Sequence, residues 1–145
     1  MPSAFDALPA NSYILLLTPV LPPSTHAASQ VDPYEPFGVS LNTRRRNLRH
    51  APYVPTRGLT QLHTTFLADP LCGGVVAVLA CTGMQGEQER ALLEVGRWLN
   101  GRPGCLVVVT EESGGVGEGL GWRVVKTRGL GGLEVGAVVR GVFGD

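Results

Sequence analysis

The chain is poor in the residues that announce a chemistry. It has three cysteines in 145 residues. Cys72, Cys81 and Cys105 are odd in number and include no C-x-x-C pair, which argues against a disulfide framework, and no nearby histidine completes a metal-ligand set. Buried, reduced thiols are the expectation. No nucleophile elbow, Ser/His/Asp set or metal motif occurs anywhere. Charge of one sign is not in excess either: 12 basic and 12 acidic side chains leave a net charge of zero, so there is no global field to draw in nucleic acid or an anionic membrane, and neither is expected as a partner. The opening MPSAFDALPANS lacks a basic leader, and the apolar run after it falls short of the about 20 residues a membrane span needs. A soluble, cytoplasmic protein is expected.

What the chain does have is a set of short, valine-rich apolar runs. The central one, Gly73 to Gly83 (GGVVAVLACTG), is bounded by glycines and reads as a strand buried on both faces, the kind a parallel sheet requires. Tyr13 to Val20 (YILLLTPV) and Cys105 to Thr110 (CLVVVT) are similar, and helical patterns lie between. Two shorter strands are expected at Leu48 to Val54 and Trp122 to Thr127. Pro52 puts the first of these at an edge, where a missing N–H does no harm. The length suits one domain, with residues 13–145 folding together behind a loose, polar arm over residues 1–12. The expected architecture is α/β: a doubly wound, mostly parallel five-stranded sheet in the flavodoxin-like order 2-1-3-4-5, with helices on both faces.

The helices are expected from Pro33 to about Arg44, after Thr60 as N-cap, from Glu87 to Asn100, and from about Leu133 to Phe143. The third is the clearest, with Ala91, Leu92, Val95, Trp98 and Leu99 on one face and Asn100-Gly101 followed by Pro103 at its end. The basic cluster Arg44, Arg45 and Arg46 sits at the end of the first helix, where cations complement the dipole, and is expected to be a solvated helix end rather than a nucleic-acid patch. His63 falls beside the apolar face of the second helix and is expected to be a packed, hydrogen-bonded histidine rather than a catalytic base. All but Gly38 and Gly58 of the 20 glycines lie at or after Gly73, which weakens the C-terminal half locally.

In a sheet of that order the topological switch lies between the first and third strands. A ligand crevice would be lined there by Thr18, Pro19, Cys81, Thr82 and Gly83 and roofed by the Pro- and Ser-rich segment 21–32, which carries His26. The glycine-rich stretch from Glu111 to Gly121 looks like a phosphate loop. No register of it gives G-x-G-x-x-G or G-x-x-x-x-G-K-[ST], and its three glutamates repel phosphate. Glu111 and Glu112, at a strand's carboxyl end, are the acid/base candidates, with solvated loop charge as the alternative.

The runs YILLLTPV, DPYEPFGVSL, LRHAPYVPTRGLTQLHTTFL, GVVAVLACTG and WRVVKTRGLGGLEVGAVVRGVFG together resemble the C-terminal α/β domain of glycoside hydrolase family 3 proteins, with the nearest likeness to fungal β-N-acetylglucosaminidase-like members. Asp32 to Gly38 and Arg49 to Tyr53 are its distinctive parts. The resemblance implies that the catalytic aspartate belongs to a separate (β/α)8 barrel, which nothing in this chain supplies. No catalytic residue and no cofactor carries over. The implied function is a free-standing, non-catalytic domain that binds a partner protein or a small carbohydrate-like ligand, or a split subunit that works with a separate barrel. The alternatives are a small enzyme of fungal secondary metabolism acting at the crevice after strands one and three, with Cys81, Thr82 and His26 as its candidate groups, and a flavin-carrying protein.

Overall fold

The computed structural model describes residues 5–20, 34–81, 84–99, 101–110, 122–129 and 134–144. The strands are β1 (Tyr13–Pro19), β2 (Leu48–Tyr53), β3 (Cys72–Ala80), β4 (Gly104–Val109) and β5 (Arg123–Thr127), and the helices are α1 (Glu35–Arg44), α2 (Gln61–Ala68), α3 (Gln85–Leu99) and α4 (Glu134–Val142). The strands form one sheet in the order β2-β1-β3-β4-β5, and every pairing is parallel.

The two central strands are apolar throughout because both of their faces are covered. Leu15 and Leu17 of β1, with Val75, Ala77 and Leu79 of β3, pack towards α2 and α3 through Leu67, Ala91, Leu92 and Val95. Ile14 and Leu16, with Val76 and Val78, pack the other way against Phe37 and Leu41 of α1 and Val138, Val139 and Val142 of α4. The chain steps one way from β1 to β2 and the other way from β2 through β3 to β4. With crossovers of one hand, that reversal places α1 on the opposite face from α2 and α3, as the two cores show. Pro52 lies in the edge strand β2, as expected.

Close approach fixes one glycine. A Cβ on Gly74 would sit 2.8 Å from the Pro103 carbonyl oxygen and 2.9 Å from the Phe5 ring, so β3 can pass the 101–103 turn only without a side chain there.

The expected loose arm is not loose from Phe5 onward. Phe5 is 2% exposed and meets Phe143 edge-on at 6.0 Å between ring centroids. Arg44 donates to both carboxylate oxygens of Asp6, at 2.9 and 3.1 Å, and lies 4.5 Å above the Phe143 ring. Arg45 donates to the carbonyl oxygens of Leu8, Pro9 and Ser12 at 3.1, 2.8 and 3.4 Å. The helix end is solvated at Arg44 and Arg46, as expected, and in addition Arg44 and Arg45 latch the N-terminal segment to α1. A single phenylalanine in a polar, proline-bearing stretch has no period, so its burial is a tertiary event that local pattern cannot show.

Candidate functional site

The carboxyl ends of β1 and β3 are where an open α/β sheet usually takes a ligand. Among the described residues their polar groups are largely spoken for. Thr18 is 1% exposed, and its Oγ1 lies 2.7 Å from Nε2 of His50 on β2. Pro19 closes β1, buried and opposite Tyr53. The last pairing of β1 with β3 is Leu17 with Ala77, and Pro19 has no N–H to extend it. Cys81 N–H donates to Val109 of β4, so the N–H and C=O of the preceding Ala80 face the β1 side. There Gln88 of α3 replaces the missing strand: its Oε1 accepts from Ala80 N at 2.8 Å, and its Nε2 donates to Ala80 O at 2.8 Å. Gln88 is fully buried.

Cys81 is half-buried and packs with the α2/α3 core, whereas Thr18 shares its face with Ile14 and Leu16 on the α1/α4 side. The two candidates thus stand on opposite faces of the sheet. His26, Thr82, Gly83, Glu111 and Glu112 lie outside the described residues. At the end of β2, Tyr53 is 1% exposed, and its hydroxyl has no hydrogen-bond partner among the described residues. Burial pushes its pKa well up, and the neighbouring Tyr34 adds to the shift.

His63 is a packed histidine. Its Nδ1 accepts from Thr60 N at 2.9 Å, in the place a glutamate takes in a capping box, so its Nε2 carries the proton and donates to Pro52 O at 2.8 Å. Both ring nitrogens are therefore committed to α2 and the β2 edge. Cys72 and Cys105 are buried thiols whose pKa burial raises, to about 11 for Cys105. Among the described residues no three His, Cys, Asp or Glu side chains gather as a metal site, and no helix is long and apolar enough to cross a membrane.

At the opposite, amino end of the sheet a cavity of about 300 Å³ opens between Asn11, Tyr13, Asn47, Leu48, Arg49 and Leu71. Sequence reasoning missed this place, and it missed Gln88 and His50. For Gln88 a signal was present: it precedes Ala91, Leu92 and Val95 by three, four and seven residues, so it is a polar side chain on the apolar stripe of α3.

No protein-family profile and no curated protein matches the chain. Its fold, however, is matched by a solved structure. The chain is similar to part of a fungal multi-domain GH3 β-N-acetylglucosaminidase. That protein is described as having a unique GCN5-related glucosamine N-acetyltransferase region. The TM-score is 0.69 at 20% sequence identity, over 95% of this chain and 15% of the other. An identity this low speaks for the fold alone, and the chain corresponds to about one seventh of the other protein's length.

Proposed function

We propose that the chain is an α/β module of the kind found at the C-terminus of glycoside hydrolase family 3 proteins, non-catalytic by itself, which binds a separate (β/α)8 barrel protein or a small carbohydrate-like ligand. The observation that carries the kinship is the fold match of nearly the whole chain to one part of a fungal multi-domain GH3 enzyme, while the C-terminal placement and the partner rest on the sequence resemblance. The site's geometry supports it. Glycoside hydrolysis needs two carboxyl groups about 5 to 10 Å apart across a sugar, whereas the described crevice residues are turned inward, Thr18 to His50 and Ala80 to Gln88.

The test is to mix the purified chain with a separately expressed family 3 barrel and follow sedimentation and hydrolysis of an aryl N-acetylglucosaminide. Comigration, with hydrolysis raised above that of the barrel alone, is expected for a split enzyme. Turnover by the chain alone that is lost in Glu111→Gln or Glu112→Gln would reject the non-catalytic reading.

A second reading, a small enzyme at the crevice, draws on Cys81, half-buried just beyond the end of β3. The acetyltransferase region described for the neighbour suggests acetyl transfer to an amino sugar as its reaction class. Acetylation of the glucosamine amine from an added acetyl thioester, which leaves as the free thiol, by the wild-type chain but not by Cys81→Ala would favour it.

A further inference from the structure

The cavity at the amino end of the sheet lies on the far side of the molecule from the crevice, and nothing in the proposed function uses it. Three segments build it, and backbone hydrogen bonds tie them together: Tyr13 N–H donates to Leu71 O at 2.8 Å, and Ile14 N–H donates to Asn47 O at 3.0 Å. Its shape is therefore set by the start of β1 rather than by loose loops. Arg49 is its cation. The guanidinium carbon lies 5.1 Å from the centre of the Tyr13 ring and 5.9 Å from that of Phe66. Those two rings meet edge-on, at 6.3 Å and 80°.

Stacking against aromatic rings steadies a guanidinium while leaving its in-plane N–H fork available. Arg49 makes no ion pair or hydrogen bond among the described residues. The local acid is already engaged, since Asp69 accepts from Leu71 N at 2.9 Å and from the Tyr13 hydroxyl at 3.3 Å. The single Tyr13 hydroxyl proton is shared between that carboxylate and Phe66 O, the nearer acceptor at 2.9 Å. Asn47, held at φ +69°, donates to Ala10 O at 3.2 Å, and the Asn11 amide is unengaged among the described residues. Leu48 and Leu71 supply apolar wall, Leu71 with 47% of its surface exposed.

A preset fork, a free amide and a leucine wall around a volume near the lower end of ligand pockets define a ligand class. We propose that this cavity binds a small organic carboxylate, its carboxylate held bidentately by Arg49 with help from Asn11 and its apolar body against Leu48 and Leu71. The planar fork is what distinguishes a carboxylate from a spherical anion, which a point charge would hold as well.

The experiment uses the full chain, 15N-labelled, titrated with N-acetyl-leucine, with N-acetyl-leucinamide and with inorganic phosphate. N-acetyl-leucine should move the backbone amides of Asn11, Asn47, Arg49 and Leu71 saturably, and the amide should not. Arg49→Gln and Arg49→Lys should each weaken the effect about ten-fold or more, the loss of one charge-assisted fork, with the rest of the spectrum unchanged. If Arg49→Gln fails to fold, Arg49→Lys with Asn11→Ala gives the same reading. Equal shifts from acid and amide, preference for phosphate, undiminished binding by Arg49→Lys, or the absence of saturable shifts in the wild type would each overturn the proposal.

Discussion

Gln88 holds both backbone groups of Ala80, N–H and C=O each at 2.8 Å, and so stands in for a strand where β1 stops. A side-chain amide reproduces the donor and acceptor of a peptide, and this one does so in a fully buried position. Gln88→Leu keeps much of the volume but strands two buried backbone groups, each worth about 1 to 3 kcal/mol when left unmade. Urea unfolding should show a loss of about 2 to 5 kcal/mol, and hydrogen exchange should show faster exchange of the Ala80 amide. Gln88→Glu, which keeps only the acceptor, should also destabilise.

The N-terminal latch has an apolar and an ionic part, and the apolar part should dominate. Phe5→Ala empties a buried aromatic site and should cost about 3 to 5 kcal/mol. Asp6→Ala breaks a pair whose side chains are 22% and 36% exposed, which should cost about 1 kcal/mol or less and less still at high salt. Paired denaturation curves at low and high salt check both parts.

Arg102 ties three elements by their carbonyl groups. It donates to Leu67 O at the end of α2 at 2.8 Å, to Leu99 O at 2.9 Å and Trp98 O at the end of α3, and to Cys72 O of β3 at 3.0 Å. The carbonyl groups of Leu67, Trp98 and Leu99 are among the orphan acceptors of helix C-termini, which carry partial negative charge. Arg102→Lys cannot span them with a point ammonium. Both Arg102→Lys and Arg102→Met should therefore lose about 2 kcal/mol or more, measured by thermal or chemical unfolding.

Alkaline stability should carry the signature of the buried thiols and phenols. Cys105 is fully buried, and its pKa is raised from 9.0 to about 11 by burial, with nearby Arg123 opposing. The raised value means that the folded state keeps its proton longer than the unfolded state does. The contribution is therefore complete below about pH 9 and is lost as pH rises towards 11. Unfolding free energy should fall across that window, and Cys105→Ala should flatten the fall by roughly one proton's worth while lowering stability at neutral pH. Tyr13 and Tyr53, both shifted up chiefly by burial, should sustain the loss at higher pH in the variant.

The strand order and the two-faced core were legible because valine-rich runs such as Gly74 to Ala80 have few other uses in a chain of this length. Pro52 placed its strand at the edge through one missing donor. The role of His63 was half legible: its packing followed from the helical face, while its place as a cap partner of Thr60 required coordinates. Contacts made across long stretches of sequence were not legible. Arg45 reaches Pro9 over 36 residues, and Arg102 reaches Leu67 over 35, and no local pattern encodes either. The engagement of the groups at the crevice was not legible for a related reason. Periodicity put Thr18 and Cys81 at the right end of the sheet, but it did not reveal that His50 and Gln88 already engage the groups there.

The most direct measurement is the rate of aryl N-acetylglucosaminide hydrolysis by the purified chain alone, followed at high protein concentration over hours. On the proposed non-catalytic reading the chain should release no aryl alcohol above the buffer blank. Steady turnover that disappears in Glu111→Gln, Glu112→Gln or Cys81→Ala would contradict the account.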